Sequence, residues 1–158
     1  TASRLIRADH DLLLGYVDDV AESELKEAYR THDGPLGHFC DSRHDLVAHV
    51  LMWSEISLGV LHEARSGRKH WSIEPRWETA EIGSALNKAG VQAGRELPSQ
   101  LLVERVRWVR DAFDAELASI PGTEWDGANG VGATLYEAMT PPGSAPYAHA
   151  ALHLFGTS

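Results

Sequence analysis

Asp45-Leu46-Val47-Ala48-His49-Val50-Leu51-Met52-Trp53 opens the stretch that decides the fold, and Ile56, Leu58, Val60 and Leu61 continue it toward Ser66-Gly67. The apolar residues run nearly all the way round a helix rather than down one stripe. That pattern belongs to a helix buried on most sides, as at the centre of a bundle. The helix is expected to start near Asp41 or Ser42. Ser42 with Asp45 three residues on resembles an acidic capping box, and carboxylates favour a helix N-terminus. Gly67, just behind Arg65, supplies the stop.

Working outward, the segment from Ser3 to Val20 reads as an amphipathic helix. Leu5, Leu12, Leu13, Tyr16 and Val20 form its apolar stripe, with Asp9, Asp11, Asp18 and Asp19 largely on the other side. Ala21 to Arg30 continues this helix or forms a short second one, and Thr31-His32-Asp33-Gly34-Pro35-Leu36-Gly37 breaks it. Downstream, Arg68 to Leu97 is a long connection carrying a modest helix over Glu78 to Ala89. A connection of that length can return the chain along the whole bundle, so the next long helix need not run antiparallel. Pro98 opens that helix, in which Leu102, Val106, Val109, Phe113, Leu117 and Ile120 recur at spacings of three and four. Pro121-Gly122 ends it, and the Gly-rich Gly127 to Gly132 reads as a loop. Pro146 is placed in the first turn of a final helix with Ser144 as its N-cap. No stretch alternates as a strand does. The expected architecture is all-α: a four-helix bundle with a long crossover between its second and third long helices.

Its 158 residues predict one domain, 1–158, with a single core. A formal charge of −9 argues against duplex nucleic acid as a partner, since phosphate neutralisation needs clustered Lys and Arg. No apolar run approaches the ~20 residues that span a bilayer. Thr1-Ala2-Ser3-Arg4-Leu5 does not read as a signal peptide, so a cytoplasmic protein is expected. The single Cys40 excludes an intrachain disulfide. A small molecule is the expected partner, and a homodimer is compatible with an all-α bundle of this size.

The chemistry lies in the histidines. In Ala145-Pro146-Tyr147-Ala148-His149-Ala150-Ala151-Leu152-His153-Leu154, two imidazoles four residues apart share one face of a helix. Paired neutral imidazoles suit a divalent transition metal, although an H-x3-H pair alone equally describes two half-exposed histidines. A bound ion calls for a third ligand on the buried side of a facing helix. His49, in the middle of the most apolar helix, fits best. His10 borders a pocket or lies beside the acidic face. His32, His38, His44, His62 and His70 are expected to be mostly solvated. Cys40, just before a helix N-terminus, is either a nucleophile of lowered pKa or a small buried filler. No G-x-S-x-G signals a serine triad, and Gly127 to Gly132 matches no phosphate-binding fingerprint.

One His in a D-L-x-x-H-x-x-x-W helix, followed far downstream by H-x3-H, resembles the DinB-like metal-binding four-helix bundles, and most closely their ClbS/DfsB branch. Asp45 to His49 through Trp53, Glu63-Ala64-Arg65-Ser66-Gly67, Arg76-Trp77 to Leu86-Asn87, and Ala145-Pro146-Tyr147-Ala148-His149 carry the likeness, which runs over nearly the whole chain. It implies up-down-down-up connectivity and a Zn, Ni or similar divalent ion held by His49, His149 and His153 at the mouth of a pocket. It implies one of two activities. One is metal-dependent transfer or isomerisation with a low-molecular-weight thiol as co-substrate; the other is self-protection against an electrophilic metabolite. Three neutral imidazoles leave positions on an ion where a thiol or water can be activated.

Trp53, Trp77 and Tyr136 are expected to wall the pocket, and no catalytic acid or base can be assigned. Two readings follow. The first is a divalent-metal-dependent thiol S-transferase or hydrolase acting on a small electrophile in detoxification or self-resistance. The second is a non-catalytic small-molecule-binding or sequestration protein with the same bundle. The last helix is short after His153, so it is expected to fray unless the metal or a partner subunit holds it.

Overall fold

A computed structural model describes residues 1–28, 40–126 and 130–155 of the chain. Among these residues eight α-helices are present: α1 (Ala2–Asp19), α2 (Glu22–Leu25), α3 (Arg43–Arg65), α4 (Ala80–Arg95), α5 (Ser99–Ala118), α6 (Gly122–Trp125), α7 (Val131–Met139) and α8 (His149–Phe155). A single turn of 3-10 helix covers Trp71–Ile73. The described residues contain no strand, only an isolated bridge between Ala28 and Ser42. The break expected over Thr31 to Gly37 lies outside the described residues, as do His32, His38 and Gly127 to Asn129.

The central helix forms where its caps dictate. Ser42 Oγ accepts the Asp45 N–H at 3.1 Å, and the Asp45 carboxylate accepts the Asp41 N–H at 2.8 Å. At the other end Gly67 takes φ 69, and the Arg68 N–H returns to the Glu63 carbonyl at 2.8 Å, closing the helix. Along α3 the buried residues include Leu46, Val47, Val50, Leu51, Leu58, Val60 and Leu61. They face five partners among the described residues, because α3 packs against α2, α4, α5, α7 and α8. The all-round apolar pattern is thereby accounted for.

Ion pairs show how the helices run. Glu55 pairs with Arg105, and ten residues further along α3 Arg65 pairs with Glu116, so α3 and α5 are parallel. The parallel arrangement needs a long connection, which the chain supplies through α4. On the other flank Arg7 bonds Asp114 and Asp11 bonds Arg110, so α1 runs antiparallel to α5. Helix α4 is antiparallel to α3: Arg95 forks onto Asp45 at 2.7–3.0 Å, and Trp53 donates to Asn87 at 2.7 Å. Phe113, Leu102, Val106 and Val109 of α5 join Ile6, Leu13 and Val17 of α1 and Leu135 of α7 in the main core.

Three local expectations need correction. The buried stripe of α1 is Ile6, Asp9, His10, Leu13 and Val17, whereas Leu5 is 49 % exposed. Asp9 lies inside because it has a structural task there, described below. The crossover helix is longer than Glu78 to Ala89: Thr79 caps it, accepting the Ile82 N–H, and it extends to Arg95, which is fixed by the buried Asp45. The last helix starts at His149 rather than near Pro146. Ser144 does not cap it, since its hydroxyl donates back to the Pro141 carbonyl at 2.8 Å. Among the described residues no helix is long and apolar enough to cross a membrane.

Candidate metal centre

His49 sits in the second turn of α3 with 2 % of its surface exposed. His149 and His153, four apart, are brought onto one face of α8 as helix geometry requires. That face is turned toward α3. The ligand-capable nitrogens of the three imidazoles lie within 4.8 Å of one another. His49 Nε2 and His153 Nε2 are 3.3 Å apart. Two nitrogens at ~2.0–2.1 Å from one tetrahedral ion would be separated by ~3.3–3.4 Å. The rings stand edge to face, with centroids 4.7 Å apart for His149 and His153, 4.9 Å for His49 and His153, and 5.2 Å for His49 and His149. The three residues are thus close enough together to hold a metal ion.

The electrostatics favour the ligand form of each ring. Burial, reinforced by His153, lowers the His49 pKa to about 3. Burial alone lowers His153 to about 4, and it takes His149 well below its ordinary value with help from the neighbouring histidines. All three are neutral at physiological pH and offer a lone pair, as a metal ligand must. The donor set suits a divalent transition metal, and three imidazoles do not select one such ion over another.

Helix α8 has only seven residues, and its position is set from the far end of the chain. The Asp9 carboxylate of α1 accepts the N–H groups of Ala150 at 2.9 Å and Ala151 at 3.0 Å. These are orphan donors of the first turn, so a side chain from another helix performs the N-capping. Just before α8, Tyr147 adopts φ 57, unusual for a residue with a side chain, and is 6 % exposed. The turn and the Asp9 cap together aim His149 and His153 at His49.

Beside the histidines opens a cavity of about 490 Å³, within the range used for small-molecule ligands. Trp53 and Trp77 line it, with Ile73, Leu86, Met139 and Tyr147. Trp53 is held by its bond to Asn87, and Trp77 is 41 % exposed at the rim. Tyr136 does not line the cavity: it is 51 % exposed and stands edge-on to Tyr147. At its position on α7 the neighbouring Leu135 takes the inward direction, with 0 % exposure.

The remaining histidines divide. His10 also lines the cavity, packs edge-on to Phe113 and is 6 % exposed. Burial lowers its pKa to about 4, and its Nε2 has no hydrogen-bond partner among the described residues. His44 is buried rather than solvated, with Nε2 3.2 Å from the Leu97 carbonyl. His62 and His70 are not in the cluster: one approaches Glu116 and the other bonds Ser72. Cys40 is a filler, 2 % exposed beside Leu46 and Val91, and burial raises its thiol to about 12. A thiol so poorly ionised is not a nucleophile. Sequence reasoning missed Asp9 as a site residue, because its partners lie 141 and 142 residues away and no local pattern announces them.

Compared with known proteins, the chain matches no family model, no curated protein and no solved structure.

Proposed function

We propose that this protein is a divalent-metal-dependent enzyme that directs a low-molecular-weight thiol or water onto a small electrophilic compound. This would make it a thiol S-transferase or hydrolase serving detoxification or self-resistance in the cytoplasm. The single observation that carries this reading is the convergence of His49, His149 and His153, with nitrogens within 4.8 Å, at the wall of a ligand-sized cavity. The likeness of the His49 and H-x3-H motifs to DinB-like proteins of the ClbS/DfsB branch points the same way. We place the chain there, with an up-down-down-up four-helix bundle at its centre.

In this reading His49 from α3 and His149 and His153 from α8 would hold the ion at the wall of the cavity that all three line. The bound ion supplies Lewis acidity, lowering the pKa of a thiol or water that joins it. Trp53 and Trp77 flank the electrophile, with Ile73, Leu86 and Met139 as an apolar wall beside it. A bond forms from sulfur or oxygen to the electrophilic carbon as that carbon's bond to its leaving group breaks, and the leaving group departs with the electron pair. The nucleophile's proton passes to solvent.

Metal analysis of the purified protein tests the reading. About one equivalent of divalent metal is expected, retained through gel filtration and lost in His49→Ala. A wild-type protein that neither carries nor takes up a divalent ion would overturn it.

A second reading, ligand binding without turnover, has one observation in its favour. The buried carboxylate at the cavity, Asp9, is committed to the N–H groups of α8 and is therefore not available as a base. Mass spectrometry of a retained, unmodified ligand would support it, and observed turnover would exclude it.

A further inference from the structure

The cavity has a charge character that the metal reading does not use. Its charged lining residues other than histidines are all carboxylates: Asp9, buried and bonded to the N–H groups of α8, and the exposed Glu78 and Glu137. Among the described residues no Lys or Arg lines it. Four guanidinium groups are engaged elsewhere: Arg95 on Asp45, Arg105 on Glu55, Arg65 on Glu116, and Arg110 on Asp11 and Asp114. Arg76 lies over the outer part of the wall, 5.2 Å from the Trp77 ring centroid, but its charge is met by Glu74 at 2.8 Å.

An anionic group entering this space gives up part of its hydration and meets carboxylates in return. An uncharged group gives up little. A cation meets opposite charge. Building on the metal reading above, we infer that the small molecule occupying this cavity beside the ion is uncharged or cationic, and that thiols bearing carboxylates away from the sulfur are excluded. The aromatic wall suits a ligand with a ring or another flat apolar portion.

The test uses para-substituted benzyl thiols bearing a hydroxymethyl, an aminomethyl or a carboxylate group. The distant charge cannot chelate the metal, so only the cavity discriminates among them. With Co(II)-loaded protein the sulfur-to-cobalt absorption reports binding; with metal-free protein, tryptophan fluorescence does. The hydroxymethyl and aminomethyl thiols are expected to bind at least about tenfold more tightly than the carboxylate, a difference of ~1.4 kcal/mol. Glu137→Lys, an exposed change, is expected to narrow that ratio. Equal or tighter binding of the carboxylate thiol by the wild type would overturn the inference. If Co(II) is not taken up, the metal reading fails, while the order of affinities in fluorescence still decides the charge selection.

Discussion

The carboxylate of Asp9 on α1 accepts the backbone N–H of Ala150 on α8 at 2.9 Å, joining residues 141 apart between two histidines of the cluster. A helix of seven residues is marginal by itself, so its docking has to come from outside. Asp9→Ala is therefore expected to lower divalent-metal affinity by about 10–100-fold, the usual effect of losing a group that orients ligands. Asp9→Asn keeps one of the two acceptor oxygens and should fall between the wild type and Asp9→Ala. Co(II) titration followed by visible absorption measures both. Equal affinities for wild type and Asp9→Ala would show that α8 needs no such cap.

Metal binding should be visible as stability. An ion present at about 100 times its dissociation constant adds ~2.7 kcal/mol. For a chain of this size that corresponds to a rise in Tm of roughly 5–10 °C. The rise should vanish with a chelator and in His153→Ala, whose imidazole lies 3.3 Å from His49. Differential scanning fluorimetry with and without Zn(II) provides the comparison, and an unchanged Tm in the wild type would contradict the site.

The metal-free protein should lose stability on mild acidification. His10 and His153 have folded pKa values of about 4 and His49 of about 3, all below the ordinary 6.5. The unfolded chain takes up protons first as pH falls through 6.5, so the histidine contribution is complete above 6.5 and is lost toward 4. Each histidine contributes a slope of up to ~1.4 kcal/mol per pH unit in that window. Asp9, raised by burial, works in the opposite sense nearer the acid end. Urea midpoints between about pH 7 and about pH 4 should fall steeply. A flat profile would mean that these imidazoles are not buried as neutral groups.

Two glycines of α4 face α3 and should respond differently to alanine. A Cβ at Gly94 would lie 2.3 Å from the Ala48 Cβ, with no flexible end to move, next to His49. Gly94→Ala is expected to destabilise by about 1–3 kcal/mol. At Gly90 the closest atom is the Met52 Sδ, the far part of a side chain that can turn away. Gly90→Ala should be nearly neutral, since the gain in helix propensity offsets the adjustment. Chemical denaturation of both variants decides the point, and equal losses would contradict the difference in packing.

Much of the helical layout was legible because its signals are local. Ser42 and Asp45 cap α3 where their spacing says they should, and Gly67 ends it at φ 69. The i, i+4 spacing of His149 and His153 is likewise a property of one helix. The outer limits of α4 and α8 were less legible. Arg95 extends one helix by pairing with a residue 50 positions away, and Asp9 caps the other across 141.

By itself, the amino-acid order determined that the described chain is helical, that α3 is its most enclosed helix, and that two histidines share one face. These follow from periodicity, propensity and capping, which act within a few residues. Only the tertiary structure decided that His49 meets that face, that Asp9 turns inward to hold it, that Cys40 is inert, and that Tyr136 stays outside the cavity while Trp53 and Trp77 line it. Each of those depends on which surfaces packing brings together. Burial then sets the charge state and reach of every group in the site, and a residue's burial is a property of its neighbours in space.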